Sequence, residues 1–574
     1  MKRKSFLILA FLPVLLFILN CSCSKEVVDM ELINHRVVAN PMKLNYRFQF
    51  DDPGYREAAD PVCEFFNGKY YLFASKSGGY WSSENLVDWN FIPCQSIREL
   101  NNYAPSIMVM DDYVYWIASG SNIYRTNTPD TDNWEEIDTK FKLGVTDPAF
   151  FRDDNGKVYL YWGCSDKDPI KGVEVDPADG FRPLGEPATL IEHNIEKYGW
   201  EIQGENNELG TVGWNEGPCM IKYRGKYYLQ YASPGTQFRS YADGIYVGDS
   251  PLGPFTYLES SPFSFKPGGF IGGAGHGHTF LDKYGNYWHV ASMKISQRHM
   301  FERRLGLFPV FITDDGNFVQ HSVWTDYPFI IPDTKTDFQK DNLSVGWHLL
   351  SYQKKVSASS TLAGFPTEYA VNEKVENWWS AETGKPGEYL QIDLGEPSGV
   401  TALQVNFADQ DFTIRAPHDL FAYQYIIEIS DDGNKWKQII DKSKNTCDAV
   451  HELIVLKESA QTRFVRITNT RELPGKFSLY GFRVFGKGNG ATPEKATGLK
   501  IERNPDDQRK FKLSWDKQDN ATGYIVNIGT APGRITQSAM VFDNQYEGRW
   551  FNRDSEYYFS VDVFNENGIT KQSK

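Results

Sequence analysis

The sequence is poor in cysteine, with 7 in 574 residues. Beyond Cys23 there are Cys63, Cys94, Cys164, Cys219 and Cys447, scattered, odd in number and without a Cys-x-x-Cys spacing. That implies neither a disulfide framework nor a zinc site, and most are expected to be buried thiols. Positive charge is also in deficit: 60 Lys and Arg against 74 Asp and Glu give a net charge of −14. An acidic surface repels phosphate backbones, which argues against a nucleic-acid partner and leaves uncharged carbohydrate open. Long apolar runs are missing after Leu19, so no later segment is apolar enough to span a membrane as a helix.

The early apolar run, Phe6 to Leu19, follows Lys2, Arg3 and Lys4 and is short for a spanning helix. It ends in Asn20-Cys21-Ser22-Cys23-Ser24, which resembles a bacterial lipoprotein cleavage site. Residues 1–23 are therefore expected to be a lipoprotein signal peptide, with Cys21 or Cys23 acylated; an ordinary cleaved signal is the alternative. The anchor implies a membrane contact at the cell envelope, on the surface or periplasmic face of an outer membrane.

Aromatics are abundant, at 15% with 32 Tyr and 15 Trp. Flat rings suit pleated sheets and also stack on the CH-rich faces of sugars. A phrase recurs from residue 45 to 332: FFNGKYYLFAS, VMDDYVYWIAS, FRDDNGKVYLYWG, KYRGKYYLQYAS and LDKYGNYWHVAS. Each copy is an apolar strand, a turn and an alternating aromatic strand, the pattern of a β-hairpin. Second-hairpin phrases between the copies complete four-stranded units, and five such units predict an all-β, five-bladed β-propeller.

After a connector, Asp333 to Ser351, short alternating strands with regular turns predict a β-sandwich. WSAETGKPGEYLQIDLG and the closing YGFRVFG resemble a discoidin-type (coagulation factor C-terminal) domain over residues 352–487. The resemblance implies a jelly-roll sandwich whose end loops bind sugar, in some members beside Ca2+; Asn372 stands where that family usually has Asp. Following the linker GKGNGATPEKA, FKLSWDKQDNATGYIVNIG and SEYYFSVDVFNENG match a fibronectin type III pattern over residues 497–574.

Three acids stand out by position. Asp60-Pro61, Asp147-Pro148 and Glu216-Gly217-Pro218 open the first, third and fourth repeats, and a propeller brings such strand entrances together on its axis. The phrases AADPVCEFFNGKYYLF, VTDPAFFRDDNGKVYLYWG and WNEGPCMIKYRGKYYLQYASPGT resemble glycoside hydrolase family 43. The resemblance implies that Asp60 is the general base, Asp147 the pKa modulator and Glu216 the general acid. It also implies that His276, in GAGHGHTF, lies near the axis, where it often holds a metal ion or water, and that Arg303, in RRLGLFP, lies beside the carboxylates. No cofactor is required, with Ca2+ or another structural metal ion as an option. The physical logic agrees: a charge on Asp147 would keep Glu216 protonated, and Arg303 would keep Asp60 or Asp147 ionised.

Trp81, Trp200 and Trp214 are candidate sugar platforms, with a core position as the alternative for Trp81. The loop GWEIQGENNELG is expected to shape the pocket. The resemblance implies an inverting exo-α-L-arabinofuranosidase, with β-xylosidase, endo-arabinanase and β-galactosidase activities as alternatives on the same scaffold. A catalytically silent carbohydrate-binding protein is the reading from another class. Plant cell-wall polysaccharide is the expected partner, and the chain is expected to be a monomer.

Overall fold

The computed structural model describes residues 36–49, 53–141, 143–210, 212–341, 343–414 and 421–572. The lipoprotein signal expected over residues 1–23 lies outside the described residues. Strands dominate the described chain, and no helix is long and apolar enough to cross a membrane.

Five antiparallel sheets occupy the region of the repeats, each beginning with one repeat hairpin. Their opening strands are Ala59–Phe66, Ser106–Met110, Ala149–Arg152, Asn215–Tyr223 and Gly273–Leu281. The hairpins form where the sequence places positive-φ residues. Asn67 and Gly68, at φ 47° and 89°, turn the first, and Arg224 and Gly225, at 48° and 78°, the fourth. Two successive positive φ values give the turn whose twist matches the flanking strands.

Hydrogen bonds carry each sheet to the next. Ser75 Oγ accepts from Ala104 N at 2.7 Å, and Ser119 Oγ accepts from Asp147 N at 2.9 Å. Cys164–Ser165 pairs with Asn215 and Glu216 at the edge of the fourth sheet. Asp243 accepts from the backbone of His276 and Gly277 at 2.7 and 3.0 Å. Ser292 Oγ accepts from Asp60 N at 2.8 Å, which returns the fifth sheet to the first. The serines that end four of the repeat phrases thus have a physical task, and three of them link neighbouring sheets.

Residues 348–487 build an eight-stranded β structure around the long strands Tyr389–Phe407 and His451–Asn469 and the strand Ser478–Lys487. It is joined to the first five sheets through a buried interior. Arg56, fully buried, bonds Asp409 at 2.8 Å and Asp448 at 2.9 Å. Arg304 donates to His451 Nε2 at 3.0 Å, and Val375 N to Phe270 O at 3.0 Å. The loop that carries Asn372 therefore faces the repeat sheets. Residues 500–570 form a three-stranded and a four-stranded sheet, with Trp515 and Tyr524 in their core.

Trp81 belongs to the core. It is 0% exposed, packs on Phe91 with ring centroids 5.6 Å apart, and sits among the side chains shared by the first and fifth sheets. Fully buried, it offers no surface to a sugar. Trp200 is equally buried and donates its indole N–H to Tyr257 Oη at 2.9 Å.

Candidate active site

The opening strands converge, and so do the residues at their entrances. Asp60, Ala104, Asp147, Gly217 and His276 all have left-handed backbones, at φ 50°, 52°, 50°, 57° and 46°. A residue before proline ordinarily avoids this region, and holding a non-glycine there costs about 1–3 kcal/mol. The same left-handed turn recurs in all five repeats, with acids at the first and third turns, Glu216 one residue before the fourth and His276 at the fifth. The second repeat has only Ala104 in this place, so it contributes shape and no chemistry.

Asp60 is buried and densely supported. Arg303 Nη1 donates to its Oδ1 at 2.8 Å and Ser75 Oγ to its Oδ2 at 2.6 Å. Burial would raise its pKa, but Arg303, His276 and Ser75 outweigh that and hold it below the usual carboxylate value. Arg303 also meets Glu57 at 2.5 Å and Thr236 Oγ1 at 3.2 Å. Its guanidinium lies near the rings of Phe301 and Tyr103, 5.0 and 5.9 Å from their centroids. Burial would lower the Arg303 pKa, yet Asp60 and Glu57 raise it, so it is a fixed cation.

His276 stands between two of the acids. Its Nδ1 is 3.5 Å from Asp60 Oδ1 and 3.7 Å from Asp147 Oδ2. Burial works against its charge, but Asp60, Asp147 and Glu216 together raise its pKa. Among the described residues, Asp147, Cys164 and Glu216 form the one cluster of three side chains able to ligate a metal, and it does not include His276. His276 thus bridges Asp60 and Asp147 through Nδ1.

Asp147 is pushed up to about 7 by burial first, then by the charges of Glu216 and Asp60, against the pull of His276. Electrostatic repulsion among the three acids therefore falls visibly on Asp147. Glu216 is half-buried and accepts three hydrogen bonds: from Trp214 Nε1 at 2.8 Å, from Cys164 Sγ at 3.3 Å, and from the buried Tyr241 hydroxyl. Trp214 is thus a partner of the acid, its ring partly exposed at the site.

The structure brings Asp60, Asp147, Glu216, His276, Arg303 and Trp214 together and leaves Trp81 outside. Sequence reasoning missed Glu57, Cys164, Tyr241 and Asp243. Cys164 had a signal, because the third repeat ends Gly163-Cys164 where four others end in serine. Glu57, Tyr241 and Asp243 had none, since each depends on strand register. The site pairs a positively clamped carboxylate with two further carboxyl groups that lie within 4.8 Å of each other. That arrangement suits removal of a proton at one point and delivery of one at another.

The glycosyl hydrolases family 43 model matches residues 55–318, and the F5/8 type C domain model matches residues 355–481. A β-D-galactofuranosidase of Aspergillus niger is 24% identical over 260 residues, covering 38% of this chain and 68% of that protein. An arabinoxylan arabinofuranohydrolase of Paenibacillus polymyxa is 32% identical over 289 residues, covering 40% of this chain and 44% of that protein. The chain thus spans about half to two thirds of the length of these two relatives. A solved glycoside hydrolase structure aligns with a TM-score of 0.44 at 18% identity, covering 77% of this chain and 99% of that one. Residues 55–318 thus carry a glycosyl hydrolases family 43 domain and residues 355–481 an F5/8 type C domain.

Proposed function

We propose that the protein is an inverting, exo-acting glycosidase that removes α-L-arabinofuranosyl units from plant polysaccharide side chains. The observation that carries this reading is the meeting of Asp60, Asp147 and Glu216 around His276 and Arg303. Asp60, kept ionised by Arg303, takes a proton from water as that water attacks the anomeric carbon. Glu216 gives its proton to the glycosidic oxygen as the bond to the anomeric carbon breaks. A carboxyl oxygen of Asp147 lies within 4.8 Å of one of Glu216, which supports Asp147 as the pKa modulator of the acid. In an inverting enzyme, base and acid stand roughly 6.5–9.5 Å apart to admit the water.

The furanosyl preference is supported by the two relatives, whose names specify arabinofuranose and galactofuranose. The five repeat sheets are taken as the blades of one propeller spanning residues 45–332, and the last two sheets as a fibronectin type III-like sandwich over residues 497–574. The domain at residues 352–487 is taken as carbohydrate-binding. The N-terminal signal and anchor would hold a monomer at the outer membrane.

The test is hydrolysis of aryl α-L-arabinofuranoside, β-D-galactofuranoside and β-xyloside, together with arabinoxylan oligosaccharides, by the protein and its Glu216→Gln variant. Loss of general-acid help is expected to lower kcat/KM about 100- to 10,000-fold on a sugar leaving group. The loss should be smaller on an aryl leaving group that needs less protonation. Unchanged turnover in the variant removes Glu216 from the acid role. Proton NMR of the first-formed anomer decides inversion, and no turnover on any glycoside sinks the enzyme reading.

A further inference from the structure

The donors that meet the carboxyl group of Glu216 divide unequally between its two oxygens. Trp214 Nε1 at 2.8 Å and Cys164 Sγ at 3.3 Å both donate to Oε2, while Oε1 accepts from the Tyr241 hydroxyl. A carboxylate offers about four lone-pair positions, two on each oxygen. Both positions on Oε2 are therefore taken, and of the two on Oε1 Tyr241 takes one. Among the described residues nothing bonds to the other, and Glu216 is only half-buried.

Tyr241 reaches Glu216 through the strand order of the fourth sheet. Strand Lys226–Ser233 runs between them, with Ala232 paired to Glu216 on one side and to Asp243 on the other. Tyr241 stands just before strand Ala242–Gly248, beyond the Ser233–Ala242 pair that ends the register. Its buried ring lies in a notch of the fifth sheet. A side-chain carbon at Gly275 would come within 2.7 Å of Tyr241 Cδ1 and 2.9 Å of Ala242 N, so the ring fits only because GAGHGHTF has glycine there. Burial first, then the charges of Glu216 and Asp60, push the phenol well above its usual range, and Asp243 adds to them. Arg303 faces it with the opposite charge, and the phenol still keeps its proton and remains a donor.

We propose that Tyr241 is a positioning residue of the general acid: by holding one lone pair of Glu216 Oε1, its hydroxyl leaves the acidic proton a single seat, the other lone pair of that oxygen. The inference rests on the glycosidase reading above. As the glycosidic bond breaks, its electron pair stays with the leaving oxygen, which takes the proton from Oε1. Glu216 becomes a carboxylate, and Tyr241 keeps its own proton and goes on donating to Oε1. A donor bonds the carboxylate more strongly than the acid, so Tyr241 favours proton release. The charge of Asp147 opposes release and that of His276 favours it, and Tyr241 is the one of these partners that also fixes which oxygen carries the proton.

Tyr241→Phe in the full chain keeps the ring in its notch and removes the donor. On an oligosaccharide kcat is expected to fall about 10- to 100-fold, the range for a hydrogen bond to a charged group, with KM little changed. The fall should be smaller on an aryl glycoside of the same terminal sugar, whose leaving group needs less protonation. An equal loss on both substrates overturns the proposal, since a merely structural role lowers both alike, and so does no loss on either. A carboxyl group deprived of a donor to its ionised form holds its proton to higher pH. The alkaline limb of kcat/KM should therefore move up by about one pH unit, and an unmoved or lowered limb is the contrary result. Should Tyr241→Phe fold poorly, Gly275→Ala keeps the hydroxyl, displaces the ring, and is expected to give the same leaving-group pattern. Carboxyl carbon NMR of protein labelled in its glutamate side chains, with Glu216→Gln assigning the signal, reads the titration without substrate. A midpoint displaced to higher pH in Tyr241→Phe is expected, and an undisplaced one overturns the proposal. That displacement in a protein that turns over no glycoside would remove the glycosidase reading alone.

Discussion

Arg303 Nη1 stands 2.8 Å from Asp60 Oδ1, both buried, while Nη2 of the same guanidinium holds Glu57. One cation therefore bridges two buried acids that belong to the beginning of the chain, almost 250 residues earlier. Replacing it with Met leaves both carboxylates without their counter-charge. Removing one partner of a buried pair costs about 3–5 kcal/mol. Arg303→Met is expected to show that loss in urea unfolding. It should also lose at least about 100-fold in kcat/KM, the lower range for a disabled base. Arg303→Lys restores the charge but cannot reach both acids, so it should recover stability more than activity. A fully active Arg303→Met enzyme would contradict the assignment of Asp60.

The acid limb and the alkaline limb of the pH profile should belong to different carboxyl groups. Asp60 is held below the usual carboxylate value, so its limb lies at low pH. Asp147, pushed up to about 7, holds a proton that an unfolded carboxyl would already have lost. That proton leaves as pH rises through about 7, and kcat/KM is expected to fall with it. Because the carboxyl groups interact, the limb reports the pair. Asp147→Asn removes one of the interacting charges and should displace the alkaline limb while the acid limb stays. Initial rates from pH 4 to 9 measure both, and an alkaline limb unmoved by Asp147→Asn is the contrary result.

Cys164 donates to Glu216 Oε2, and burial together with Glu216 and Asp147 holds its thiol well above the usual range. Deleting this donor should cost about one hydrogen bond, roughly 1 kcal/mol, or about fivefold in rate. Cys164→Ser keeps a donor and should retain more activity than Cys164→Ala. The elevated thiol is also expected to resist alkylation. Iodoacetamide at pH 8 should label the exposed Cys447 well before Cys164. Peptide mass mapping over time gives the order, and rapid labelling of Cys164 with loss of activity would refute it.

Much of this arrangement was legible because it repeats. Asp60, Asp147 and Glu216 stand at comparable places in similar phrases, so pattern alone set them apart from the other acids. The strained φ shared by Asp60, Ala104, Asp147, Gly217 and His276 shows why those places are equivalent: each is the same turn into a converging strand. The predicted hairpins agree with the strand register for the same reason, since alternation and turn residues are local. Trp81 was misplaced because a ring near an inner strand reads alike whether its faces meet solvent or the next sheet. Tyr241 and Glu57 were invisible because their contacts join strands far apart in sequence. The same holds for the contacts between domains, where Arg56 and Arg304 carry no local mark of their distant partners.

Those contacts lead to a prediction about stability. Glu57 and Arg303 turn toward the site, while their strand neighbours Arg56 and Arg304 turn toward the second domain. Asp448→Ala leaves Arg56 short of one buried counter-charge and is expected to cost about 3–5 kcal/mol. His451 is buried and accepts from Arg304; burial, then Arg304 and Arg56, hold its pKa well below the ordinary 6.5. The unfolded chain takes up a proton here below about pH 6.5 that the folded chain refuses, so folding weakens as pH falls. This single group contributes at most about 1.4 kcal/mol per pH unit. Urea unfolding at pH 7.5 and 5.5 should show the loss in the parent and a smaller one in His451→Gln. An equal loss in both would assign the acid sensitivity elsewhere, and a stable Asp448→Ala would show that the two domains do not depend on this buried cluster.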